Sequence, residues 1–447
     1  MKARELADNI ANTLRDAGHQ AYFVGGCVRD LELGREPADY DISTDARPER
    51  VQELFPDSLA IGAKFGVILV TEGDAEVEVA TFRSDIGYSD GRHPDRVVYT
   101  ASAKEDVLRR DFTINGLLLD PCTNEVLDYV NGRADLRARI IRAIGEPERR
   151  LREDKLRLVR AVRFAARFNF AIEPETAAAI RALAPEILVV SAERLRDELT
   201  KILTEGAARR GFELLDELGL LPQVLPEISR MKGVEQPPQF HPEGDVWIHT
   251  LLMLEMLPAG ASPTLAWGTL LHDVGKPPTF APPTGPEGRI RFDGHVEVGS
   301  KMAEEICRRL RFSNDDTEQI SLLVANHLRF KDVPQMRQST LKRFLLLPRF
   351  EEHLELHRLD CLSSHRNLEN YEFVQRFLAE TPPAEVRPTR LISGDDLIGL
   401  GLKPGPDFKE ILQNIEDAQL DGRIRTRDEA LAQARRALAD KSRPATN

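Results

Sequence analysis

Residues 24–44 read VGGCVRDLELGREPADYDIST and set the fold class of the N-terminal region. The apolar stretch AYFV before them predicts a short strand, and a helix is predicted to open just after the glycine pair Gly25 and Gly26. Gly26 lets backbone amides approach an anion, and Arg29 can clamp a phosphate. The segment therefore predicts a strand, a glycine turn and a helix around an anion site.

The second half of this stretch, DYDIS, predicts a metal site. Asp39 and Asp41 are two residues apart on a predicted strand, so alternation puts both carboxylates on one face while Tyr40 and Ile42 point into the fold. Two acids this close repel each other unless a divalent cation bridges them, and hard oxygen ligands suit Mg²⁺. Glu78, on the neighbouring predicted strand VEVATFR, is a candidate third carboxylate.

A third motif, RRDFTIN at residues 109–115, adds polar groups that suit a nucleotide. Its two arginines, including Arg110, offer guanidinium groups to phosphates, and Asp111 and Asn115 are candidate partners for ribose hydroxyls. The three motifs in this order are far more specific than any one of them.

The chain resembles the class II tRNA nucleotidyltransferase and bacterial poly(A) polymerase family over about residues 20–225. The matching motifs are GGCVRD, DYDIS, TFRSDIGYSDGRHPDRVVY, RRDFTING, EDKLRLVRAVRFAARF and SAERLRDEL. The resemblance implies a polymerase-β-type head, a helical neck that holds the nucleotide and a downstream body that grips RNA. It also implies that Asp39 and Asp41 are metal carboxylates, that Gly26, Arg29 and Arg110 contact the triphosphate, and that Asp111 contacts the ribose.

The EDKLR motif predicts how a base is selected. On a helix, Asp154 and Arg157 share a face and present an acceptor beside a donor. Cytosine and adenine each show an amino donor beside a ring acceptor, whereas uracil and guanine show the reverse order, so one pair of side chains can accept C and A. This matches the nucleotide template that the family builds here. Arg160 and Arg163 are predicted to continue the same face toward the phosphates.

The remaining chain divides into segments of different character. The 447 residues predict an α+β protein with a mixed-sheet head at 1–130, an all-helical neck at 131–225, a helical metal-binding domain at 226–385 and a helical tail at 386–447. Residues 133–167 hold twelve basic and five acidic side chains, which makes this stripe either an anion path or a solvated helix face. Residues 83–99 are predicted to be a mobile loop, whose length in this family favours complete CCA addition over addition of CC alone.

Residues 249–360 hold a second set of candidate metal ligands: His249, His272, Asp273, His295, His327 and Asp360. The sequence LLHDVGKP resembles the HD phosphohydrolase superfamily, in which such residues hold a divalent ion. Imidazole and carboxylate ligands suit Mn, Ni, Fe or Zn, and a metal-bound water is a nucleophile for phosphoesters. We assign no role to His241, His353, His357 or His365.

Composition excludes several classes of protein. The net charge of −12 argues against general coating of nucleic acid or membranes, and the four scattered cysteines form no CxxC pair. No apolar stretch is long enough to span a membrane, so we expect a cytoplasmic protein with no membrane partner.

The predicted function is the addition of CMP and AMP from CTP and ATP to the 3′ end of tRNA, or of another RNA. Poly(A) polymerase or an A-adding tRNA nucleotidyltransferase is an alternative within the same chemistry. The alternative from another class is an HD phosphohydrolase whose head only binds RNA. In the predicted enzyme the HD domain is an additional candidate phosphodiesterase or phosphatase.

Overall fold

The computed structural model of the chain describes residues 3–62, 66–86, 96–239, 241–284, 288–402 and 405–441. Two compact units are formed. The first holds the described residues up to Lys232 together with Leu257–Pro263 and Arg308–Phe312, and the second holds the other described residues.

The first unit contains a sheet and a series of short helices. Its helices are α1 (Ala3–Asp16), α2 (Gly26–Glu32), α3 (Pro48–Leu54), α4 (Ala103–Leu108), α5 (Gly132–Ala138), α6 (Pro147–Glu153), α7 (Leu156–Phe168), α8 (Pro174–Leu183), α9 (Ala192–Thr204), α10 (Ala208–Glu217), α11 (Leu221–Val224) and α12 (Pro226–Ser229). Its strands are β1 (Ala21–Val24), β2 (Asp41–Thr44), β3 (Leu59–Gly62), β4 (Val67–Glu72), β5 (Ala75–Thr81), β6 (Arg83–Ile86), β7 (Arg96–Tyr99), β8 (Leu117–Leu119), β9 (Val126–Asp128), β10 (Ile140–Ile141) and β11 (Ala171–Ile172). Two 3-10 helices, Thr113–Asn115 and Ala184–Val189, connect them.

A mixed sheet organises the head, as predicted. Within the described residues it has seven strands in the order β3-β4-β5-β2-β1-β8-β9. Only β2 and β5 run parallel among its pairs, and this pairing sets Asp41 opposite Glu78. Alternation of buried valines with exposed glutamates in AEVEVAT buries one face of β5, and α1 presents a buried stripe that includes Leu6, Ile10 and Leu14.

The segment predicted as a loop at residues 83–99 is partly strand. The four residues at each end of this segment are extended. They form β6 and β7, which pair antiparallel with Arg83 opposite Tyr99. The centre of the segment, with Gly87, Gly91 and Pro94, lies outside the described residues.

The neck is mainly helical, with one short exception. Asn169 adopts a left-handed conformation at the end of α7 and reverses the chain, so that β11 lies parallel to β10. The segment predicted to be all-helical therefore contains two strands of two residues each. Helix α7 is buried along most of its length, including Leu158, Val162 and Phe164.

The second unit is helical among its described residues. Its helices are α13 (Val246–Met256), α14 (Pro263–Leu271), α15 (Lys276–Thr279), α16 (His295–Arg309), α17 (Asn314–Asn326), the 3-10 helix His327–Gln335, α18 (Gln338–Leu345), α19 (Phe350–Ser363), α20 (Glu369–Glu380), α21 (Pro383–Val386), α22 (Gly394–Gly399), α23 (Pro406–Leu420) and α24 (Arg427–Lys441). One buried cluster centres on Phe330 and Phe344, and another on Ile411 and Ile415 of the C-terminal helices. The predicted helical domain and helical tail agree with this architecture.

Candidate active site and metal centre

The carboxylates of DYDIS lie where β2 begins. Asp41 is the first residue of the strand and Asp39 precedes it, so the prediction that both lie on the strand is wrong for Asp39. Residues 37–40 form no strand, and the pairing of β2 with β1 begins at Asp41, which lies opposite Val24. Tyr40 and Ile42 are buried as predicted.

Asp41 lies in an unfavourable field of like charges. Burial and the charges of Asp39 and Glu78 raise the pKa of Asp41 to about 7, although Arg110 acts in the opposite direction. Asp39 and Glu78 are exposed. A divalent cation with oxygen ligands would relieve this repulsion, so the donor set fits the predicted Mg²⁺. In the described part of the chain, every group of three ligand atoms within 4.8 Å belongs to the second unit, so these head carboxylates form a more open set.

The glycine pair lies against two arginines. A Cβ atom at Gly25, whose φ is +74°, would lie 3.5 Å from the guanidinium of Arg110, and one at Gly26 would lie 3.6 Å from that of Arg29. Arg110 also donates to the hydroxyl of Ser43 on β2, at 3.1 Å, and pairs with Asp106. The backbone turn and the two cations predicted from GGCVRD and RRDFTIN thus come together.

Arg29 is less accessible than its predicted role as a phosphate clamp suggests. It is 5% exposed, donates to Asn115 at 2.8 Å and to Asp30, and lies 4.6 Å from the ring centre of Phe168. These contacts occupy the guanidinium of Arg29. In this structure Arg29 therefore binds the side chains of Asn115 and Asp30.

Asp111 and Asn115 form one buried polar cluster. The Asp111 carboxylate accepts from the amide of Asn115 at 3.1 Å and from two N–H groups of Arg160, at 3.0 and 2.8 Å. Burial acts to raise the pKa of Asp111, but Arg160, Arg157 and Asn115 outweigh it and lower the pKa to about 2. Asp111 is therefore an ionised acceptor at neutral pH.

Two predicted phosphate-facing arginines pair with carboxylates instead. Arg160 holds Asp111, and Arg163 is 6% exposed and donates to Glu198 at 2.7 Å and to Glu205 at 3.3 Å. The helical face that they share therefore points at acids of the fold, because a buried guanidinium requires a counter-charge.

The prediction that Asp154 and Arg157 share a face of one helix is wrong. Helix α6 ends at Glu153, and Asp154 has an extended backbone, so a break separates it from α7. The carboxylate of Asp154 accepts from Arg194, whereas Arg157 donates to Glu153. Asp154 and Arg157 are three residues apart in sequence, but their side chains bind different partners.

The basic stripe at residues 133–167 is largely neutralised within the unit. Most of its members pair with acids, for example Arg142 with Asp135 and Arg152 with Glu148. Arg137, Arg139 and Arg149 are exposed and have no ion pair among the described residues. The interpretation of the stripe as a solvated helix face therefore fits more of its members than an anion path.

The six predicted HD ligands converge in the second unit. His249 lies in α13, Asp360 in α19, His272 and Asp273 follow α14, and His295 and His327 begin their helices. The Nε2 atom of His249 lies 3.3 Å from Nε2 of His272 and 3.2 Å from Asp360, and Nε2 of both His295 and His327 lies 3.8 Å from Asp273. Two ligand groups result: His249, His272 and Asp360, and Asp273, His295 and His327.

Backbone carbonyls fix the orientation of three imidazoles. The Nδ1 atoms of His272, His295 and His327 lie 2.7 to 2.9 Å from the carbonyl oxygens of Thr269, Phe292 and Val324 respectively. These contacts make Nδ1 the protonated nitrogen and leave Nε2 as the lone-pair donor. Each ring thus faces the centre with the atom that a metal needs.

Within the part of the chain that the structure describes, three polar atoms at this centre have no hydrogen-bond partner: Asp273 Oδ1, His295 Nε2 and His327 Nε2. Asp273 is 2% exposed and His327 is 3% exposed, so both side chains are buried. Burial lowers the pKa of His327 to about 4 despite the charge of Asp273, so its ring is neutral and able to ligate. Buried oxygen and nitrogen atoms with unused lone pairs, such as these, are suitable ligands for a transition metal.

The charges around the centre are balanced by a proton and a lysine. Burial acts to lower the pKa of His249, but its bonds to Asp360 and Glu243 outweigh burial and raise the pKa to about 9. Lys276 is 6% exposed, and its Nζ lies 2.6 Å from Asp273 and 2.6 Å from Gln236.

Glu243 and Lys276, which lie near the centre, were not identified from the sequence, and His241 was given no role there. Glu243 accepts from both His241 and His249 at 2.8 Å, and Lys276 holds Asp273. The spacing His241, Glu243, His249 spans a loop and a helix start, which helical periodicity does not reveal. The sequence signal available was the lysine three residues after Asp273 in LLHDVGKP, on the same turn.

A cleft of about 840 Å³ opens at this centre. Its walls carry His295, His327 and Asp360 together with the basic side chains of Arg289, Arg291 and Lys331. Candidate metal ligands and basic side chains therefore line the same cleft, and the basic side chains suit a phosphoester.

Family models match the chain in three consecutive stretches. They are the Poly A polymerase head domain at residues 21–142, the probable RNA and SrmB-binding site of polymerase A at residues 169–232, and the HD domain at residues 246–358. The CCA-adding enzyme of Levilactobacillus brevis is 31% identical over 430 residues, which are 96% of this chain and 97% of that protein. The chain belongs to the CCA-adding enzyme family.

Two further family members agree. The CCA-adding enzyme of Geobacillus stearothermophilus is 44% identical over 211 residues, 47% of this chain and 52% of that protein. The crystal structure of the Bacillus stearothermophilus CCA-adding enzyme in complex with CTP matches with a TM-score of 0.73 and 28% identity, over 99% of both chains. Family membership confirms the predicted α+β nucleotidyltransferase architecture with an HD domain. In the described residues, every helix is too short or too polar to cross a bilayer.

Proposed function

We propose that this chain adds CMP and AMP to the 3′ end of tRNA, using CTP and ATP and no nucleic-acid template. The observation that carries the proposal is similarity over 97% of the length of a CCA-adding enzyme. The match over 99% of a family structure solved with CTP supports the nucleotide class.

Asp39 and Asp41 are the proposed Mg²⁺ ligands, with Glu78 as a third carboxylate. Their mutual repulsion, which raises the pKa of Asp41, favours this assignment. When bound there, Mg²⁺ lowers the pKa of the attacking hydroxyl and shields the developing charge on the phosphate.

Arg110 and the backbone at Gly25 and Gly26 are the proposed triphosphate contacts. The glycines lack the side chains that would separate their amides from a phosphate, and Arg110 is 3.5 Å from the Cβ position of Gly25. Arg29 completes this set by holding Asn115, and Asp111 and Asn115 orient the ribose.

Asp154 and Arg157 are the proposed base readers. The carboxylate of Asp154 accepts from the amino group of cytosine or adenine, and Arg157 donates to the adjacent ring nitrogen. Uracil and guanine present the reverse order and leave both protein groups unpaired.

A labelled-nucleotide assay tests this function. A tRNA lacking its last three nucleotides is incubated with labelled CTP and ATP, and we expect both to be incorporated. Incorporation of ATP alone would favour the poly(A) polymerase or A-adding alternative, and incorporation of neither would favour an HD phosphohydrolase with an RNA-binding head.

Metal-dependent phosphoester hydrolysis is a second proposed activity of the HD centre. The unpartnered Asp273 Oδ1, His295 Nε2 and His327 Nε2 favour it, together with the basic cleft beside them. Mn, Ni, Fe or Zn suits this ligand set, and such a metal supplies a nucleophilic hydroxide when bound. Hydrolysis of bis-p-nitrophenyl phosphate after loading each metal separately tests the activity. A rate equal to that of the chelated protein would exclude it for this probe.

The predicted division at residues 130, 225 and 385, and a cytoplasmic location, are also part of the proposal. The four cysteines, all free thiols in the structure, support a reducing compartment.

A further inference from the structure

The carboxylate of Asp154 is held from helix α9. Arg194 donates through one terminal nitrogen to Oδ1 at 3.2 Å and through the other to Oδ2 at 2.7 Å. The backbone N–H of Leu156 also donates to Oδ1, at 3.0 Å. This two-pronged contact fixes both the position and the rotation of the carboxylate.

Arg157 has a separate set of partners. One terminal nitrogen donates to Glu153 at 2.8 Å and to the carbonyl of Arg150 at 2.7 Å, and the other donates to the carbonyl of Arg109 at 3.2 Å. None of these partners is Asp154. The two base readers are therefore held apart by different neighbours, although they are only three residues apart in sequence.

The remaining hydrogen-bonding capacity suits a base. Oδ2 of Asp154 accepts one bond from Arg194 and retains a lone pair, and the hydrogen bonds of Arg157 described above all come from its two terminal nitrogens rather than from its Nε–H. Side-chain exposure is 17% for Asp154 and 12% for Arg157, so both remain reachable from solvent. Asp154 thus retains an acceptor and Arg157 retains a donor, each oriented by its own partners.

We propose that Arg194 is a positioning residue for base selection, which holds the Asp154 carboxylate as an acceptor and prevents it from pairing with Arg157. This inference rests on the proposed nucleotide addition and assigns Arg194 a part in its selectivity. Without Arg194, Arg157 can swing onto Asp154 and present N–H groups where an acceptor should be. The N–H groups of Arg157 then donate to the O4 atom of uracil, so discrimination against UTP falls.

Helix α9 supplies a matched control. Arg196 is two residues from Arg194, and the two side chains are 24% and 25% exposed. Arg196 pairs with Asp197 and donates to the carbonyl of Arg311, and Asp154 is not among its partners. Arg196→Ala therefore removes an arginine of equal exposure from the same helix.

The test measures kcat and KM for CTP and for UTP at the first added position of a tRNA lacking its last three nucleotides. We expect Arg194→Ala to lower the preference for CTP over UTP by about tenfold, the effect of one lost hydrogen bond. Arg194→Lys should restore part of the preference, and Arg196→Ala should leave it unchanged. Thermal unfolding of each variant accompanies the kinetics.

Several outcomes would overturn the inference. A loss of kcat that is equal for CTP and UTP in Arg194→Ala would assign the residue a purely structural role, as would an equal change in Arg196→Ala. Should Arg194→Ala unfold below the assay temperature, Arg194→Gln takes its place, and an unchanged preference there overturns the inference alone. A wild-type protein that adds no CMP overturns the proposed function and this inference with it.

Discussion

The head carboxylates and the HD centre are both candidate metal sites, but they are built in opposite ways. Asp39 and Glu78 are exposed at the edge of a strand pair, and only Asp41 is partly buried. His249, His272 and Asp273 are at most 2% exposed. A carboxylate holds the ring of His249, and a backbone carbonyl holds the ring of His272. The head set is accessible to a large substrate, whereas the HD set is buried and its side chains are already oriented. The proposed ligands of a metal–nucleotide complex and the proposed ligands of a resident ion therefore differ in burial.

The largest expected effect comes from separating the two sites by mutation. Asp41→Asn should lower nucleotide addition on the order of 10³-fold, because it removes a charge that faces the proposed metal and phosphates. Metal-dependent hydrolysis at the HD centre should stay unchanged. Conversely, His272→Ala should remove hydrolysis and preserve addition of labelled CMP.

Asp74→Asn is the matched control for Asp41→Asn. Asp74 is an exposed aspartate in the turn between β4 and β5, away from the pairing of Asp41 with Glu78. Nucleotide addition should be unaffected by it. If Asp41→Asn and His272→Ala both removed the same activity, the division into two independent sites would be wrong.

The two units should respond to acid in different pH windows. Burial lowers the pKa of His353 to about 4, with a smaller contribution from the charge of Arg329. Among the residues that the structure describes, neither ring nitrogen of His353 has a hydrogen-bond partner, and Phe350 stacks beside the ring. The stabilising effect of its neutral form is present above the unfolded pKa of about 6.5 and is lost as pH falls toward 4. In the first unit, the contribution of Asp111 is present above about 3.9 and is lost only as pH falls through about 2.

Tryptophan fluorescence can measure this difference, because Trp247 and Trp267 both belong to the second unit. Between pH 6.5 and 4 we expect the free energy of unfolding of this unit to fall by about 1.4 kcal/mol per pH unit for each proton taken up. His353→Leu should reduce that slope in urea titrations. An identical slope in the variant would show that His353 is not one of the groups responsible.

The smallest expected effect concerns helix caps in the two units. Ser313 caps α17 by accepting from the N–H of Asp316 at 3.1 Å, and Ser102 caps α4 by accepting from the N–H of Glu105 at 3.3 Å. Each Ser→Ala change should cost about 1 kcal/mol. Fluorescence-detected unfolding should shift for Ser313→Ala only, whereas circular dichroism should respond to both. Equal fluorescence shifts would mean that the units unfold as one.

Local motifs were enough to predict much of this molecule. Strand alternation predicted the buried Tyr40 and Ile42, and the spacing of His249, His272, His295, His327 and Asp360 predicted a cluster that the fold assembles. Periodicity did not predict the break at Asp154, because EDKLR contains no proline or glycine that would mark a helix end.

Partners distant in sequence were the part that could not be predicted. Asp111 is bound by Arg160, Arg163 by Glu198, and Asp154 by Arg194, across 35 to 49 residues. An arginine-rich helix gives no sign of which carboxylate each guanidinium will meet. For this reason the sequence did not reveal the carboxylate partners of Arg160 and Arg163, and their contact with phosphates stays a prediction.

The order of residues alone determined the chemical groups available: carboxylates for a hard cation, imidazoles for a softer one, and guanidiniums for phosphates and bases. Only the tertiary structure decided which of these groups are already paired and which remain free, as the contrast between the occupied Arg163 and the unpartnered His327 Nε2 illustrates. The physical reason is that a buried polar group without a hydrogen-bond partner costs free energy of folding. Which partner it meets depends on the packing of elements that are far apart in the sequence.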